Sequence, residues 1–464
     1  MTNKKFLIGI ILMVFGVAVV HAQSDGIIVQ GDNFSDKQAW LQAFAKSNGT
    51  YIIEIKADES IVPQQLEYSG RDSITIIIRG IGVNRTISLL SNEEPILFKI
   101  GSGVTLVLDK KVILCGDLDV VSGGTLVMND GTAVTGDTDR DGVLMIAGTL
   151  NVNGGTLSGS RVVKMAGIPS YETILSSVIV SGGTFNMNSG SIIGVTVAGG
   201  TFTMSGGSIS YGGVCVCGSF DYSNLGTFTM NGGTIAKSGY GVSLESQIYA
   251  GISLKGKFIM NGGTISGNDN GGVYVGCDRD ARDGGSTFIM NNGNITNNGN
   301  ITNNGDGGVS GNGTLTMNDG IISGNTAQYG GGVSVKTFIM TGGTISGNTA
   351  ESGGGVFVLR DGTFIMKGGA ISGNIARQEG GGVFVDEGNF TKTGGTITGY
   401  SSAQNNGNVV KEVSNKILNY RGHAAYAGSD STIIKIKDTS TGPGDNLSYN
   451  GNTQPATSSG TWDN

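Results

Sequence analysis

The chain is poor in what most enzymes and nucleic-acid binders are built from. Lys, Arg, Asp and Glu together make only 14% of the residues, and the formal net charge is −7. A nucleic-acid ligand calls for a basic stripe, so this composition argues against one. Proline occurs only 5 times and Gly 83 times, without the strict every-third-residue glycine of a collagen. The recurring apolar pattern sets the chain apart from a disordered one as well. Four cysteines, Cys115, Cys215, Cys217 and Cys277, are too few for a disulfide scaffold in a chain of this size. Cys215 and Cys217 sit two apart in one strand phrase, a spacing that suits neither a disulfide nor a CxxC site, so free thiols are expected. Beyond the first twenty residues no run is long and apolar enough to cross a membrane as a helix.

Residues 1–22 read as a secretory signal peptide. Lys4 and Lys5 precede an apolar run from Phe6 to Val20, and small residues at Val20 and Ala22 mark the cleavage site. No cysteine follows that site, which argues against a lipid anchor. Residues 23–124 are expected to hold a capping helix and irregular first turns of a repeat array. In Asp32–Gly49, Ser35 or Asp36 can cap a helix, Trp40 and Phe44 mark its apolar stripe, and Gly49 stops it. Short β-branched phrases follow at Tyr51–Ile55, Ile74–Ile78, Thr86–Leu90, Ile96–Ile100, Val104–Leu108 and Val112–Leu114.

Residues 125–400 carry an explicit repeat. Phe228-Thr229-Met230-Asn231-Gly232-Gly233-Thr234-Ile235 returns as Phe258-Ile259-Met260-Asn261-Gly262-Gly263-Thr264-Ile265, and Ser266-Gly267-Asn268 and Gly271-Gly272-Val273-Tyr274-Val275 complete the unit. The anchoring methionine recurs at 128, 187, 204, 230, 260, 290, 317, 340 and 366, with Val152 and Lys392 in the same place in two further copies. A repeat of variable length, close to that of a β-solenoid turn, predicts one turn per copy with loops of changing size. Within each strand phrase the period of two puts Phe and Met, then Ile, then the Val pair, on the inward side. A lone turn cannot offset the entropy of ordering its residues, so the copies must stack. The paired glycines fit corners with positive φ, and Asn268, Asn325, Asn348 and Asn374 can bond to one another along the axis. The expectation is an all-β fold, a right-handed parallel β-helix forming a three-sided solenoid, with a short N-terminal capping helix. Residues 401–464 are expected to give last turns, a cap and a polar tail.

These words resemble the right-handed parallel β-helix (pectin-lyase-like) superfamily, and more narrowly the Gly-rich exported repeat proteins of spirochaetes. The resemblance rests on Trp40-Leu41-Gln42, Asn48-Gly49-Thr50-Tyr51, Ile78-Arg79-Gly80-Ile81-Gly82, Asn84-Arg85-Thr86-Ile87, the Thr-Phe-x-Met copies, Gly422-His423-Ala424 and Thr441-Gly442-Pro443-Gly444, with Trp462 near the end. It implies an exported surface or periplasmic protein. A looser similarity to polymorphic outer-membrane protein repeats rests on Gly368-Gly369-Ala370-Ile371 and Phe228-Thr229-Met230-Asn231. Too few residues follow the last clear repeat to build the membrane barrel of those proteins.

The β-helix lyases and hydrolases that act on acidic polysaccharides need clustered carboxylates, whereas the outward strand positions here are mostly Thr, Ile, Ser, Tyr and Phe. His423 lacks the flanking pattern of a catalytic histidine. Asp137, Asp139 and Asp141 open a calcium-like loop, but its twelfth position is Gly148 instead of Glu, so a solvated turn is expected and neither metal nor cofactor is assigned. The threonine pairs Thr201/Thr203, Thr227/Thr229 and Thr314/Thr316 suggest a flat array suited to ice, which Lys257, Ile259, Ile289 and Ile339 interrupt. The insertions are more informative. The link between the third strand of one turn and the first of the next is minimal at Val335-Lys336-Thr337, but swells at Cys217–Gly226, Ser243–Lys257 and Gly276–Ser286. Insertions at equivalent places emerge on one edge. The crest so formed would present Tyr222, Tyr249, Asp278, Arg279, Asp280 and Arg282 as the candidate binding residues for an extracellular glycan or a host or matrix protein. A non-enzymatic exported adhesion or binding protein is the expected function. A polysaccharide lyase or hydrolase using Asp278 and Asp280 is the alternative, a passive envelope component the second. Oligomeric state is left open.

Overall fold

A computed structural model of the chain describes residues 26–90, 96–136, 143–159, 161–163, 174–218, 225–244, 247–249, 252–276, 285–300, 306–399, 407–412, 414–415, 424–427, 432–435 and 460–462. It is a parallel β-helix, as the repeat predicts. Each turn contributes a first strand such as Gly226–Met230, a second such as Thr234–Ala236 and a third such as Tyr240–Leu244. These pair in parallel with their counterparts in the next turn, Gly256–Met260, Thr264–Ser266 and Gly271–Val275. A right-handed sense is the one that twisted parallel strands joined by crossovers adopt.

The anchoring column is continuous. Met230 pairs with Met260, Met260 with Met290, Met340 with Met366 and Met366 with Lys392, and Val152 falls between Met128 and Met187. All of these are buried. The neighbouring phenylalanines stack face to face: Phe185, Phe202, Phe228, Phe258 and Phe288 lie with centroids 4.5–4.8 Å apart and planes within 10°. Leu315 breaks the stack, which resumes as Phe338, Phe364 and Phe390. In-register stacking forces like onto like, which is why one word recurs in the sequence.

The corners follow the same logic. Gly233 has φ +85°, and a Cβ there would lie 2.5 Å from Met204 Cε of the turn below. The anchoring methionine of one turn therefore fills the space that a missing Cβ leaves in the next. At the second corner the asparagines form a buried ladder: Asn268 Nδ2 donates to Asn298 Oδ1 at 2.8 Å, Asn298 to Asn325 at 3.0 Å, Asn325 to Asn348 at 3.0 Å, Asn348 to Asn374 at 2.9 Å and Asn374 to Asn408 at 2.8 Å. Asn298 and Asn408 extend the ladder beyond the Ser-Gly-Asn copies. A second, exposed ladder runs the opposite way along the first corner, with Asn318 donating to Asn291, Asn291 to Asn261 and Asn261 to Asn231, each at 2.8 Å.

Several expectations need correction. The helix spans Phe34–Phe44, and Asn33, not Ser35 or Asp36, caps it by accepting from the Asp36 amide. Its buried face is Phe34, Lys37, Gln38 and Leu41, while Phe44 is 60% exposed. Trp40 packs partly against the core, as expected of it, and the helix ends at Ala45, before Gly49. Turns from residue 321 onward gain a fourth strand: Thr326–Tyr329, Thr349–Ser352, Ile375–Glu379 and Val409–Val410 form their own parallel sheet. Ala327, Ala350, Ala376 and Val410 point inward from it and are fully buried. Near the C-terminus Gly460–Trp462, expected within a polar tail, pairs antiparallel with Ala425–Ala427. Cys115 is a free thiol, and Cys215 and Cys217 are buried. Among the described residues no helix is long and apolar enough to cross a membrane.

Candidate functional site

The outward side of the first strands is a long regular surface. Its first column runs in register through Thr50, Thr75, Thr105, Thr125, Thr149, Thr184, Thr201 and Thr227. It continues as Lys257, Thr287, Thr314, Thr337, Thr363, Asn389 and Thr432 without a shift along this column. Two residues further along each strand lies a second column, where Val107, Val127, Asn151, Asn186, Thr203, Thr229, Ile259, Ile289, Thr316, Ile339 and Ile365 follow one another. Lys257 and the isoleucines thus interrupt the run of threonines, as expected, while keeping its register. Neighbouring rows are about 4.8 Å apart, the spacing of paired strands. Only Lys257 in these two columns carries a charge.

The three long insertions root along one edge of this face. Val214 pairs with Val242 and Val216 with Leu244, and Leu244 in turn with Val275, so the three insertions follow the equivalent residues Val216, Leu244 and Val275. The chain returns in register at Gly226 and Gly256, and then at Thr227, Lys257 and Thr287. Ser286 fastens two of the roots: its hydroxyl accepts from the Gly256 amide at 3.1 Å, and its own amide donates to the Gly276 carbonyl at 3.0 Å. The insertions thus rejoin the threonine column at consecutive rows. Further along the same edge the links are short and charged, with Lys336 Nζ donating to the Arg360 carbonyl at 2.9 Å and Arg360 paired with Glu387 at 2.6 Å.

Of the candidate binding residues, Tyr222, Asp278, Arg279, Asp280 and Arg282 lie outside the described residues, as do Asp137, Asp139, Asp141, Cys277 and His423. Tyr249 belongs to strand Gln247–Tyr249, which pairs antiparallel with Ile252–Leu254, so the middle insertion is a β-ribbon.

The third face adds a group that the sequence reading did not single out. The Tyr240 hydroxyl donates to Asp306 Oδ2 at 2.6 Å, spanning two turns, and its ring lies over Gly271, where a Cβ would come within 3.2 Å of Cε1. Tyr274 packs beside it with centroids 5.4 Å apart. The signal was present in the comparison of turns: Tyr240 stands where the next turn has Gly271, and Tyr274 stands where the turn before has Ser243. No family model, curated protein or solved structure matches the chain.

Proposed function

We propose that the protein is a non-enzymatic, exported binding rod that adheres to an extracellular glycan or protein through the insertion crest and the face beside it. The observation that carries this reading is the consecutive, in-register rooting of three insertions along one edge of an otherwise regular solenoid. Loop length is thermodynamically cheap to vary, but three successive enlargements along one edge, one of them folded as its own ribbon, concentrate variable chain where a ligand can reach it. The Tyr240–Tyr274 pair with Asp306 on the adjacent face adds aromatic and carboxylate groups of the kind that glycan and protein surfaces use. Export rests on the signal-like pattern of Met1–Ala22, and kinship with spirochaetal repeat proteins rests on the shared Thr-Phe-x-Met words.

The test compares the full chain with a variant in which all three insertions are cut to the length of Val335-Lys336-Thr337. Glycan-array and cell-binding signals are expected to fall to background in the shortened form, with unchanged β-sheet circular dichroism. Equal binding by both forms removes the crest from the reading. Release of unsaturated or reducing sugar from an acidic polysaccharide, lost on D278N and D280N, overturns its non-enzymatic part.

A further inference from the structure

We propose that Asn292-Gly293 is a self-modifying step. Within the folded rod the Asn292 side chain cyclises onto the Gly293 nitrogen, loses ammonia and becomes an aspartate that the corner can hold. The fold itself demands glycine at 293: φ is +107° there, and a Cβ would lie 2.5 Å from Met260 Cε. Whatever residue precedes it is therefore followed by a nitrogen that no side chain shields. In the copies Asn231-Gly232-Gly233 and Asn261-Gly262-Gly263 the preceding residue is glycine; in Asn291-Asn292-Gly293 it is an exposed asparagine.

The geometry singles out this step. The Gly293 N–H donates to Asn292 Oδ1 at 2.7 Å, so the side chain is folded back over the nitrogen that must attack it. In other Asn-Gly steps that nitrogen is held by a main-chain carbonyl elsewhere. Gly49 donates to Lys46 at 3.0 Å, Gly232 to Met204 and Gly262 to Met230 at 3.3 Å, Gly271 to Gly239 at 3.3 Å and Gly299 to Asn268 at 2.9 Å. The Asn261 amide is also engaged on both sides, donating to Asn231 and accepting from Asn291. Asn292 stands outside that ladder, whose rung in its own turn is Asn291.

The reaction balances with water as the only co-reactant. Solvent takes the Gly293 amide proton, the nitrogen bonds to Asn292 Cγ, and Nδ2 leaves as ammonia with a proton from solvent. One water then opens the five-membered imide, so the net change is asparagine plus water to aspartate plus ammonia, with no electron transferred. The next turn shows how the product is accommodated. Asp319, also exposed, occupies the same place, and the Gly320 N–H donates to its Oδ1 at 2.8 Å. Opening the imide the other way gives isoaspartate, which adds a main-chain carbon between strands Thr287–Met290 and Asn294–Thr296. Both strands are held in register by the turns on either side, so the fold favours the ordinary aspartate. The chain becomes one unit more negative than its original −7, beside Asp319 of the adjoining row.

The experiment incubates the full chain in mildly alkaline buffer, folded and in urea, and follows amide-to-acid conversion at Asn231, Asn261, Asn270 and Asn292 by peptide mapping with fragment-ion mass spectrometry. In the folded chain Asn292 should convert about tenfold faster than the other three, each of which must first release its glycine amide from a hydrogen bond. In urea the four should convert at similar rates, since they share the Asn-Gly sequence. The Asn292 rate should rise with pH, because the attacking amide must lose its proton, and aspartate should exceed isoaspartate in the folded product. N292D should keep the native thermal transition. Equal conversion at the four sites in the folded chain, or an Asn292 that remains an amide while the others convert, overturns the proposal. A folded product that is mainly isoaspartate, or a marked loss of thermal stability in N292D, overturns the accommodation of aspartate by the corner.

Discussion

Asn325 has every polar atom of its side chain engaged. Its Nδ2 donates to the Ile295 carbonyl at 2.9 Å and to Asn348 Oδ1 at 3.0 Å, and its Oδ1 accepts from both the amide and the Nδ2 of Asn298 at 3.0 Å. It is fully buried, so no water can substitute for these partners. Asn261 makes bonds of the same kind and length, 2.8 Å to Asn231 and 2.8 Å from Asn291, but on the surface. Distance alone would rank the two residues equal; burial decides otherwise. N325A leaves donors on Asn298 and an acceptor on Ile295 unmet in the interior and should cost about 2–4 kcal/mol. N261A should cost no more than about 0.5 kcal/mol, because water takes over the exposed bonds. Urea-unfolding midpoints of the two variants check this, and equal losses would show that the buried ladder is not the tighter clamp.

At the scale of elements, the N-terminal cap is held by polar as well as apolar contacts. Phe34 and Leu41 close the core, Lys37 Nζ donates to the Glu54 carbonyl at 3.0 Å, and the Tyr68 hydroxyl donates to Gln38 Oε1 at 2.9 Å. Burial pushes the Tyr68 hydroxyl well above the ordinary tyrosine range, against smaller opposing effects of the Gln38 bond and the Arg71 charge. A raised folded-state value means the neutral form is the one the fold favours. The associated stability is thus fully present below about pH 10, where an unfolded tyrosine begins to ionise, and is lost as pH rises beyond it. Trp40, in the same helix as Gln38, lies 6.0 Å from Tyr51 and reports on the docking of that helix. In a W462F background, the Trp40 emission should shift above about pH 10 and return on neutralisation, and Y68F should suppress the shift. An identical alkaline shift in Y68F would assign the loosening to another group. The cap also illustrates what could be read from the sequence. That a helix occupies this stretch was legible from its polar start and apolar spacing; which face turns inward was not, because Lys37 and Gln38 are buried through hydrogen bonds that only the facing strands supply. The fourth strand was hidden for a related reason. Thr-Ala-Gln-Tyr and Thr-Ala-Glu-Ser each offer one small apolar residue and no alternation, and they become strands because the turns above and below present the same edge.

For the whole molecule, the strict correspondence of turns makes length the variable and register the constant. The columns of Met, Phe, Ile and Val were legible because in-register stacking writes the same residue at each copy, whereas the insertions carry no such constraint and gave only their positions. Residues 341–366 form one complete turn between the anchors Met340 and Met366. Removing them places Lys367 after Met340, Phe390 onto Phe338, Ala376 onto Ala327 and Asn374 within reach of Asn325, so every ladder can close again. What is lost is one turn's burial and one interface, and in a quasi-one-dimensional fold that loss stays local. The shortened chain should keep its β-sheet circular dichroism and a single thermal transition, lowered by a few degrees, and its scattering profile should report a rod shorter by about 4.8 Å. Removing only residues 341–353 deletes the second and fourth strands of that turn while keeping its third, and joins Met340 to Gly354 across a corner where no columns meet. That variant should aggregate or melt far lower. If the two deletions behave alike, the fold tolerates loss of register, and the unbroken register of the first-strand column would have to be maintained by something other than the stacking of its turns.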